Sequence, residues 1–386
     1  MRKILILTAS FGDGHNAAAR NLRNAIELVS DEAKVEALDL FESTYGTLNS
    51  LLKQTYQGLV RYVPTIWAGV FSVFDNPGLF RHQTASMGKL RDSLAAVLHD
   101  TEPDVVVSCY PVYSHIIQDI FRDHAERPFR FITVVTDSIS VCSAWYRAPS
   151  DVFVVSDAPT GEVITEAGIP KHRVKALGFP VSPVFAREPP LPLAAPEHGQ
   201  RRKVLYVINT GKAKAGKSID RLLKLPDISL TITVGRDATL KAKLSERLRE
   251  HGDRVHVFGW TNQMPRLLMS HHLVIAKAGG AMVQEAIAAR RPIIINQVIP
   301  GQEEGNARLV RKLGVGAVAE KGREQRDLVE EAFAHKSRKW QEWRDNLEKV
   351  SQPDAALRIA ELVLEEADRV NHRPGPPKLF EPAPQP

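Results

Sequence analysis

Apolar residues along this chain fall into short continuous runs separated by stretches with helical spacing. The first run is Ile4-Leu5-Ile6-Leu7, and residues 4–8 are expected to form a strand. Residues 16–29 follow, with Ala17, Ala18, Leu22, Ala25, Ile26 and Val29 recurring so as to share one side of a helix. Further runs at 35–40, 105–109, 131–136 and 152–156 predict strands, with helical stretches between them. Uninterrupted apolar strands alternating with helices imply a parallel sheet covered on both faces, wound right-handedly. The pattern stops at 186–202, where Arg187-Glu188-Pro189-Pro190-Leu191-Pro192 has no periodicity and reads as a linker. It resumes with runs at 203–208, 229–234, 254–258, 273–276 and 292–296, which predict a second parallel sheet.

The expected fold class is therefore α/β, with two Rossmann-like doubly wound domains, 1–185 and 203–350, facing a cleft. A C-terminal helix is expected within 351–370, with its apolar spacing over 354–367, and the proline-rich stretch 371–386 is expected to be disordered. The length of 386 residues agrees, since single cores stop growing near ~250–300 residues.

Composition narrows the chemistry only a little. A hydrophobic fraction of 43% and a charged fraction of 25% are ordinary for a globular protein. The net charge of +6 and a pI of about 9.2 lean towards anionic partners. On charge alone nucleotides, acidic lipids and nucleic acid all qualify, the excess being too small to choose among them; with the motifs below, nucleic acid is not expected as a partner. Only Cys109 and Cys142 occur, so a disulfide scaffold and a paired-cysteine zinc site are excluded, and a reducing cytoplasm fits. Met1-Arg2-Lys3 before the first apolar run imitates a signal peptide, but that run is too short and meets a glycine turn at once. No run of about 18 apolar residues exists, so no transmembrane helix is predicted and membrane contact is expected to be peripheral.

In doubly wound sheets ligands bind beyond the carboxyl ends of the strands, and four loops there carry candidate chemistry. Ser10-Phe11-Gly12-Asp13-Gly14-His15 follows the first strand. Gly12 and Gly14 let the backbone approach a ligand, and His15 at the lip of the helix can act as a base or donate to phosphate. Tight turns need glycine in any case, so the loop alone is weak. Lys277-Ala278-Gly279-Gly280 joins a strand to a helix, a dipole-assisted pyrophosphate site, and Glu285 on that helix can accept two ribose hydroxyls. Val298 to Asn306 follows the next strand and presents Gln302 and Glu303, suited to sugar hydroxyls, ahead of a helix expected over 307–313. The fourth loop, Thr210-Gly211-Lys212 through Ser218, matches the phosphate-loop pattern G-x-x-x-x-G-K-[ST]. An ATPase or regulator built on Gly211–Ser218 is thus an alternative of a different class. Against it, no later strand ends in a magnesium-binding Asp, and the loop lies mid-chain in a basic region that can also face pyrophosphate or lipid headgroups.

Taken in order, these loops resemble the monogalactosyldiacylglycerol synthase family. The resemblance rests on Ser10-Phe11-Gly12-Asp13-Gly14-His15, Thr133-Val134-Val135-Thr136-Asp137, Gly178-Phe179-Pro180-Val181, Lys277-Ala278-Gly279-Gly280 with Glu285, and Pro300-Gly301-Gln302-Glu303-Glu304-Gly305-Asn306. The second half is shared more loosely with the peptidoglycan lipid glycosyltransferase MurG. The resemblance implies a GT-B fold, a UDP-sugar co-substrate, no cofactor and no bound metal. It implies inverting transfer of a hexose, galactose or glucose, to diacylglycerol or a related lipid. The protein would then be cytoplasmic and peripheral at the inner face of the cell membrane. It also implies that Gly279 and Gly280 contact the pyrophosphate, Glu285 the ribose, and Gln302 and Glu303 the sugar. Phe258-Gly259-Trp260 would border the uracil. His15 would sit beside the reacting centre; its ordinary pKa near ~6.5 makes it the first candidate for general base, with Asp137 as second candidate or acceptor-orienting group. Two places depart from the family pattern. No His precedes Trp145 in the segment after Asp137, and Asn209-Thr210-Gly211-Lys212 is poorer in glycine. A transferase or epimerase using UDP-N-acetylglucosamine remains an alternative within enzymes. The acceptor surface is expected at 45–80, where Leu48, Leu51, Leu52, Tyr56 and Leu59 have helical spacing and Lys53 and Arg61 lie nearby.

Overall fold

The computed structural model describes residues 1–11, 13–46, 87–124, 126–188, 195–196, 200–208, 212–300 and 303–371, with backbone only at 212–214 and 371. The chain divides into two compact units. The first is Met1–Pro183 together with the chain from Asp354 onward, and the second is Val184–Pro353. The proposed acceptor surface at 45–80 and the stretch 372–386 fall largely or wholly outside the described residues.

The first unit holds a six-stranded sheet of β1 (Arg2–Thr8), β2 (Ala33–Asp39), β3 (Val105–Ser108), β4 (Arg130–Val134), β5 (Val152–Val155) and β6 (Val174–Ala176). The order is β2-β1-β3-β4-β5-β6 and every pairing is parallel. Its helices are α1 (Asp13–Val29), α2 (Gly88–Thr101), α3 (Pro111–Ile120) and α4 (Ala158–Glu166). Strand side chains alternate between faces. Leu5, Leu7, Val106 and Phe131 therefore join α2, α3 and α4 in one core, through Leu90, Leu94, Ile117 and Ile164.

Ile4, Ile6, Val105 and Val107 point to the opposite face and are equally buried. That face is covered by α1 and by the last helix of the chain, Ala355–Asn371, which packs on α1, β1, β3 and β4. Its stripe Ala356, Ile359, Ala360, Val363 and Ala367 is fully buried. Glu366 on the same helix is 1% exposed and accepts from Arg130 Nε at 2.6 Å and from Arg369 Nη1 at 2.6 Å. Arg2 Nε adds a 2.7 Å bond to Asp368.

The second unit opens with a single helical turn, α5 (Val184–Arg187). Its sheet comprises β7 (Arg202–Val207), β8 (Ile228–Thr233), β9 (Val255–Phe258), β10 (Leu273–Lys277), β11 (Ile293–Gln297) and β12 (Gly316–Val318). The order β12-β11-β10-β7-β8-β9, again all parallel, reverses between β7 and β10. The helices are α6 (Lys212–Leu222), α7 (Ala238–Arg247), α8 (Met264–Ser270), α9 (Gly280–Ala288), α10 (Glu304–Leu313) and α11 (Gly322–Val350). Within α11 the backbone departs from helix at 334–337, where His335, Lys336 and Ser337 are left-handed. Trp340 and Trp343 beyond that break pack with Ile219, Leu222, Leu230 and Ile232 into the core. Continuous apolar strands thus became parallel strands buried on both faces, as their patterning requires.

Candidate active site

In each sheet the strand order reverses once, and the loops that follow the two strands at that point open a crevice for ligand. In the first unit these strands are β1 and β3. The turn after β1 is tied down by Asp39, the last residue of β2, whose Oδ2 accepts from Ser10 N at 2.8 Å and from Ser10 Oγ at 2.5 Å. Asn16 completes the tie. Its Nδ2 donates to Ser10 Oγ at 2.8 Å and its Oδ1 accepts from Thr8 Oγ1 at 2.9 Å.

Helix α1 begins at Asp13, three residues ahead of the apolar periodicity, so His15 lies in its first turn. His15 Nδ1 is 3.0 Å from Thr136 Oγ1, and the ring also hydrogen-bonds the backbone of Cys109. Tyr110 meets it edge-on at 5.1 Å between centroids, and Trp145 lies at 6.0 Å. Burial pushes the imidazole down to about 4, against the opposing pull of the Cys109 bond. At neutral pH it is therefore uncharged and able to take a proton.

Asp137 follows Thr136. Its Oδ2 accepts from Trp145 Nε1 at 2.8 Å and from Cys142 N at 3.4 Å. Burial nevertheless raises it to about 6, with both hydrogen bonds working the other way. The loop beyond is held in an uncommon conformation. Ile139 has φ +60°, a region that strains a β-branched residue, and its N–H is anchored on Thr160 Oγ1 at 3.0 Å. Phe11, stacked on Tyr110 at 5.8 Å and edge-on to Phe41 at 5.3 Å, gives the crevice an apolar wall.

In the second unit β7 and β10 flank the reversal. β10 ends at Lys277, and Gly279 stands at the amino end of α9, whose first N–H groups have no partner within the helix. Ala278 is fixed from both sides. Its N–H donates to Gln297 O at 2.9 Å and its carbonyl accepts from Asn306 Nδ2 at 2.9 Å. Lys277 Nζ lies 2.5 Å from Glu303 Oε1, and Ile299 N donates to Glu303 Oε2 at 3.2 Å. Helix α10 starts at Glu304, so Glu303 is its N-cap residue and is only 4% exposed. Glu285 is half-buried on α9. Phe258 closes β9, and Trp260 beyond it is 63% exposed with the Arg236 guanidinium 5.7 Å from its ring.

The phosphate-loop alternative lacks the geometry. Helix α6 already runs from Lys212, so Lys217 and Ser218 sit inside it rather than at its start, where such a loop would wrap phosphate. Ser218 is 3% exposed and hydrogen-bonds Tyr206, so its hydroxyl is not offered to a magnesium ion.

Of the residues singled out from sequence, His15 and Asp137 share the first crevice with Gly14. Gly279, Gly280, Glu285 and Glu303 surround the end of β10, while Phe258, Gly259 and Trp260 lie at the edge strand. Gly12, Thr210, Gly211 and Gln302 are outside the described residues, and Lys212 is described in its backbone alone. Sequence reasoning gave no role to Thr136 or Tyr110, and Lys277 entered it only as part of its glycine motif and among the lysines near the diphosphate, although each lies at or just beyond the carboxyl end of a strand. Among the described residues no three His, Cys, Asp or Glu side chains cluster as a metal site would need.

Known proteins agree with this division of the chain. Residues 15–181 match the monogalactosyldiacylglycerol (MGDG) synthase family model, and residues 207–357 match the glycosyltransferase family 28 C-terminal domain. The chain is 25% identical over 386 residues to a processive diacylglycerol beta-glucosyltransferase of Bacillus cytotoxicus, covering 96% of each chain. It is 25% identical over 394 residues to the chloroplastic monogalactosyldiacylglycerol synthase 2 of Arabidopsis thaliana, covering 97% of this chain and 82% of that one. Among solved structures, MurG of Acinetobacter baumannii superposes with a TM-score of 0.60 at 12% identity over 95% of this chain and 100% of that one, a likeness of fold. The chain is a GT-B glycosyltransferase whose first half carries a monogalactosyldiacylglycerol (MGDG) synthase domain and whose second half carries a glycosyltransferase family 28 C-terminal domain.

Proposed function

We propose that this enzyme moves a hexose, glucose or galactose, from a UDP-sugar to diacylglycerol or a related lipid, with inversion and without a cofactor or metal. The observation that carries the proposal is His15, kept neutral by burial and held by Thr136 at the strand reversal of the first sheet. Inverting transfer needs a base for the acceptor hydroxyl as its oxygen attacks the anomeric carbon, and such a base contributes ~10²–10⁴-fold. The proton goes to His15, and the anomeric carbon–oxygen bond breaks with its electron pair leaving on UDP. Asp137, raised to about 6, orients the acceptor or serves as the second base. Charge growing on the leaving diphosphate is met by the amino end of α9 at Gly279 and Gly280, and amides fixed in advance do this without a metal. Glu285 takes the ribose hydroxyls, Gln302 and Glu303 face the hexose, and Phe258-Gly259-Trp260 borders the uracil.

Diacylglycerol resides in membranes, so the enzyme works at an anionic membrane surface, bound peripherally at the inner face of the cell membrane. No helix of the described residues is long and apolar enough to cross a membrane. The net charge of +6 supports attraction to such a surface.

The test is transfer of labelled hexose from UDP-glucose, UDP-galactose and UDP-N-acetylglucosamine to diacylglycerol vesicles in EDTA, with wild type and His15→Ala. Glycolipid from one of the two hexose donors, lost in the variant, is the expected result. Product only from the N-acetylglucosamine donor, or none without magnesium, would refute it.

A further inference from the structure

We infer that Ile139 reads the acceptor: its side chain forms an apolar rim on which the hydrocarbon of a lipid alcohol rests while the hydroxyl reaches Asp137. This holds within the reading that the first unit takes a lipid acceptor.

The backbone singles the residue out. Six described non-glycine residues have positive φ, and Ile139 is the β-branched one among them. Ser140 N donates to Ser138 O at 2.6 Å across it, which makes a γ-turn of the rare positive-φ kind. Glycine or asparagine would suit that conformation, and a β-branched side chain does not. Strain of this sort persists only where the surroundings over-determine it. Ile139 N donates to Thr160 Oγ1 at 3.0 Å, and the Thr160 hydroxyl donates to Asp157 Oδ1 at 2.7 Å. Asp157 is the N-cap residue of α4, and Thr160 and Ser138 are both buried. A buried polar chain thus holds the turn against its own preference.

The turn lies in a loop that closes on Asp137. Cys142 N and Trp145 Nε1 both return to the Asp137 carboxylate, and Trp145 also lies 6.0 Å from the His15 ring. Ile139 is two residues from Asp137, so their Cα atoms are within ~7 Å of each other. Val141, two residues further on, packs against the core, whereas Ile139 is half-buried and has no place in that core. Packing therefore does not explain why an isoleucine is kept under strain here. Contact with a ligand does. Tyr110, edge-on to His15 and stacked on Phe11, supplies a second apolar surface in the same crevice. Apolar groups around a polar pair suit an acceptor with a hydroxyl on a hydrocarbon body, and not a sugar.

The test compares variants in transfer to dioctanoylglycerol, with melting temperatures measured alongside. Ile139→Gly and Ile139→Asn lose the apolar group and suit positive φ. Both are expected to melt at or above wild type, to raise the KM for dioctanoylglycerol about tenfold and to leave the KM for UDP-sugar within about twofold. Ile139→Leu, apolar but unbranched at Cβ, is expected to keep the acceptor KM of wild type. Melting lowered by more than about 5 °C in both the glycine and asparagine variants would make Ile139 a packing residue and overturn the inference. An equal rise in both KM values would overturn it too. A wild type that makes no glycolipid from any hexose donor overturns the transferase reading itself, and Ile139 falls with it. Transfer by the wild type, with an unchanged acceptor KM in both variants, overturns the role of Ile139 alone.

Discussion

The hydroxyl of Thr136, two residues past β4, lies 3.0 Å from Nδ1 of His15 in the first turn of α1, joining two strand ends through one imidazole. Thr136 touches the ring and not the reacting atoms, so it is a positioning residue. Thr136→Val should lower kcat roughly tenfold with the KM for UDP-sugar nearly unchanged, whereas His15→Ala should lose about 10²–10⁴-fold. Steady-state kinetics with both variants checks this. Equal losses in KM and kcat for Thr136→Val would mean that the donor site had been disturbed instead.

The pH profile should carry an acid limb that belongs to Asp137. Its carboxyl is raised to about 6, while His15 is lowered to about 4. A reaction that needs both unprotonated loses activity as pH falls through about 6, well before His15 takes up a proton. Asp137→Asn should be slower and should show no limb between about pH 5 and 7. A limb that persists near pH 6 in that variant would assign it to another group.

Lys217→Ala should leave glycolipid synthesis within about twofold of wild type, since Lys217 lies on the exposed side of α6 and away from its start. Activity should also survive EDTA. A large loss on either change would restore the phosphate loop as a working part.

Glu366→Ala should destabilise the first unit by about 1–3 kcal/mol, because Arg130 loses its buried partner and keeps only the partly exposed Asp151, 3.1 Å away. The exposed pair Arg23–Glu27, at 2.7 Å, is the internal control, and Glu27→Ala should cost less than about 1 kcal/mol. Urea melts of both variants against wild type provide the comparison.

The strands were legible because parallel strands buried on both faces leave uninterrupted apolar runs, as at 4–8 and 273–276. The starts of helices were less so. Asp13 and Gly14 belong to α1, and Glu304 to Asn306 belong to α10, yet periodicity sees only apolar residues and these first turns are polar. The glycine turns pointed to the right strand ends. What they could not supply was pairing at a distance. Lys277 and Glu303 are 26 residues apart, and nothing local in either loop says that they meet. The same holds for Arg130 and Glu366, 236 residues apart. The helix at 355–371 shows its apolar stripe in sequence, but its docking on β1 and β4 is a property of the assembled fold.

That docking has a consequence for how the protein is made. The chain leaves the first unit at Pro183 and returns to it only at Asp354, so the ribosome finishes the second unit before the first can close. At roughly 5–20 residues per second, the intervening 170 residues (184 to 353) take on the order of 10–30 s. Throughout that interval the apolar face of Ile4, Ile6, Val105 and Val107 lacks the helix that covers it in the finished molecule. The half that is synthesised first matures last. A nascent chain stalled before Asp354 would carry a sticky sheet, an obvious target for chaperones, while its neighbouring unit is already complete.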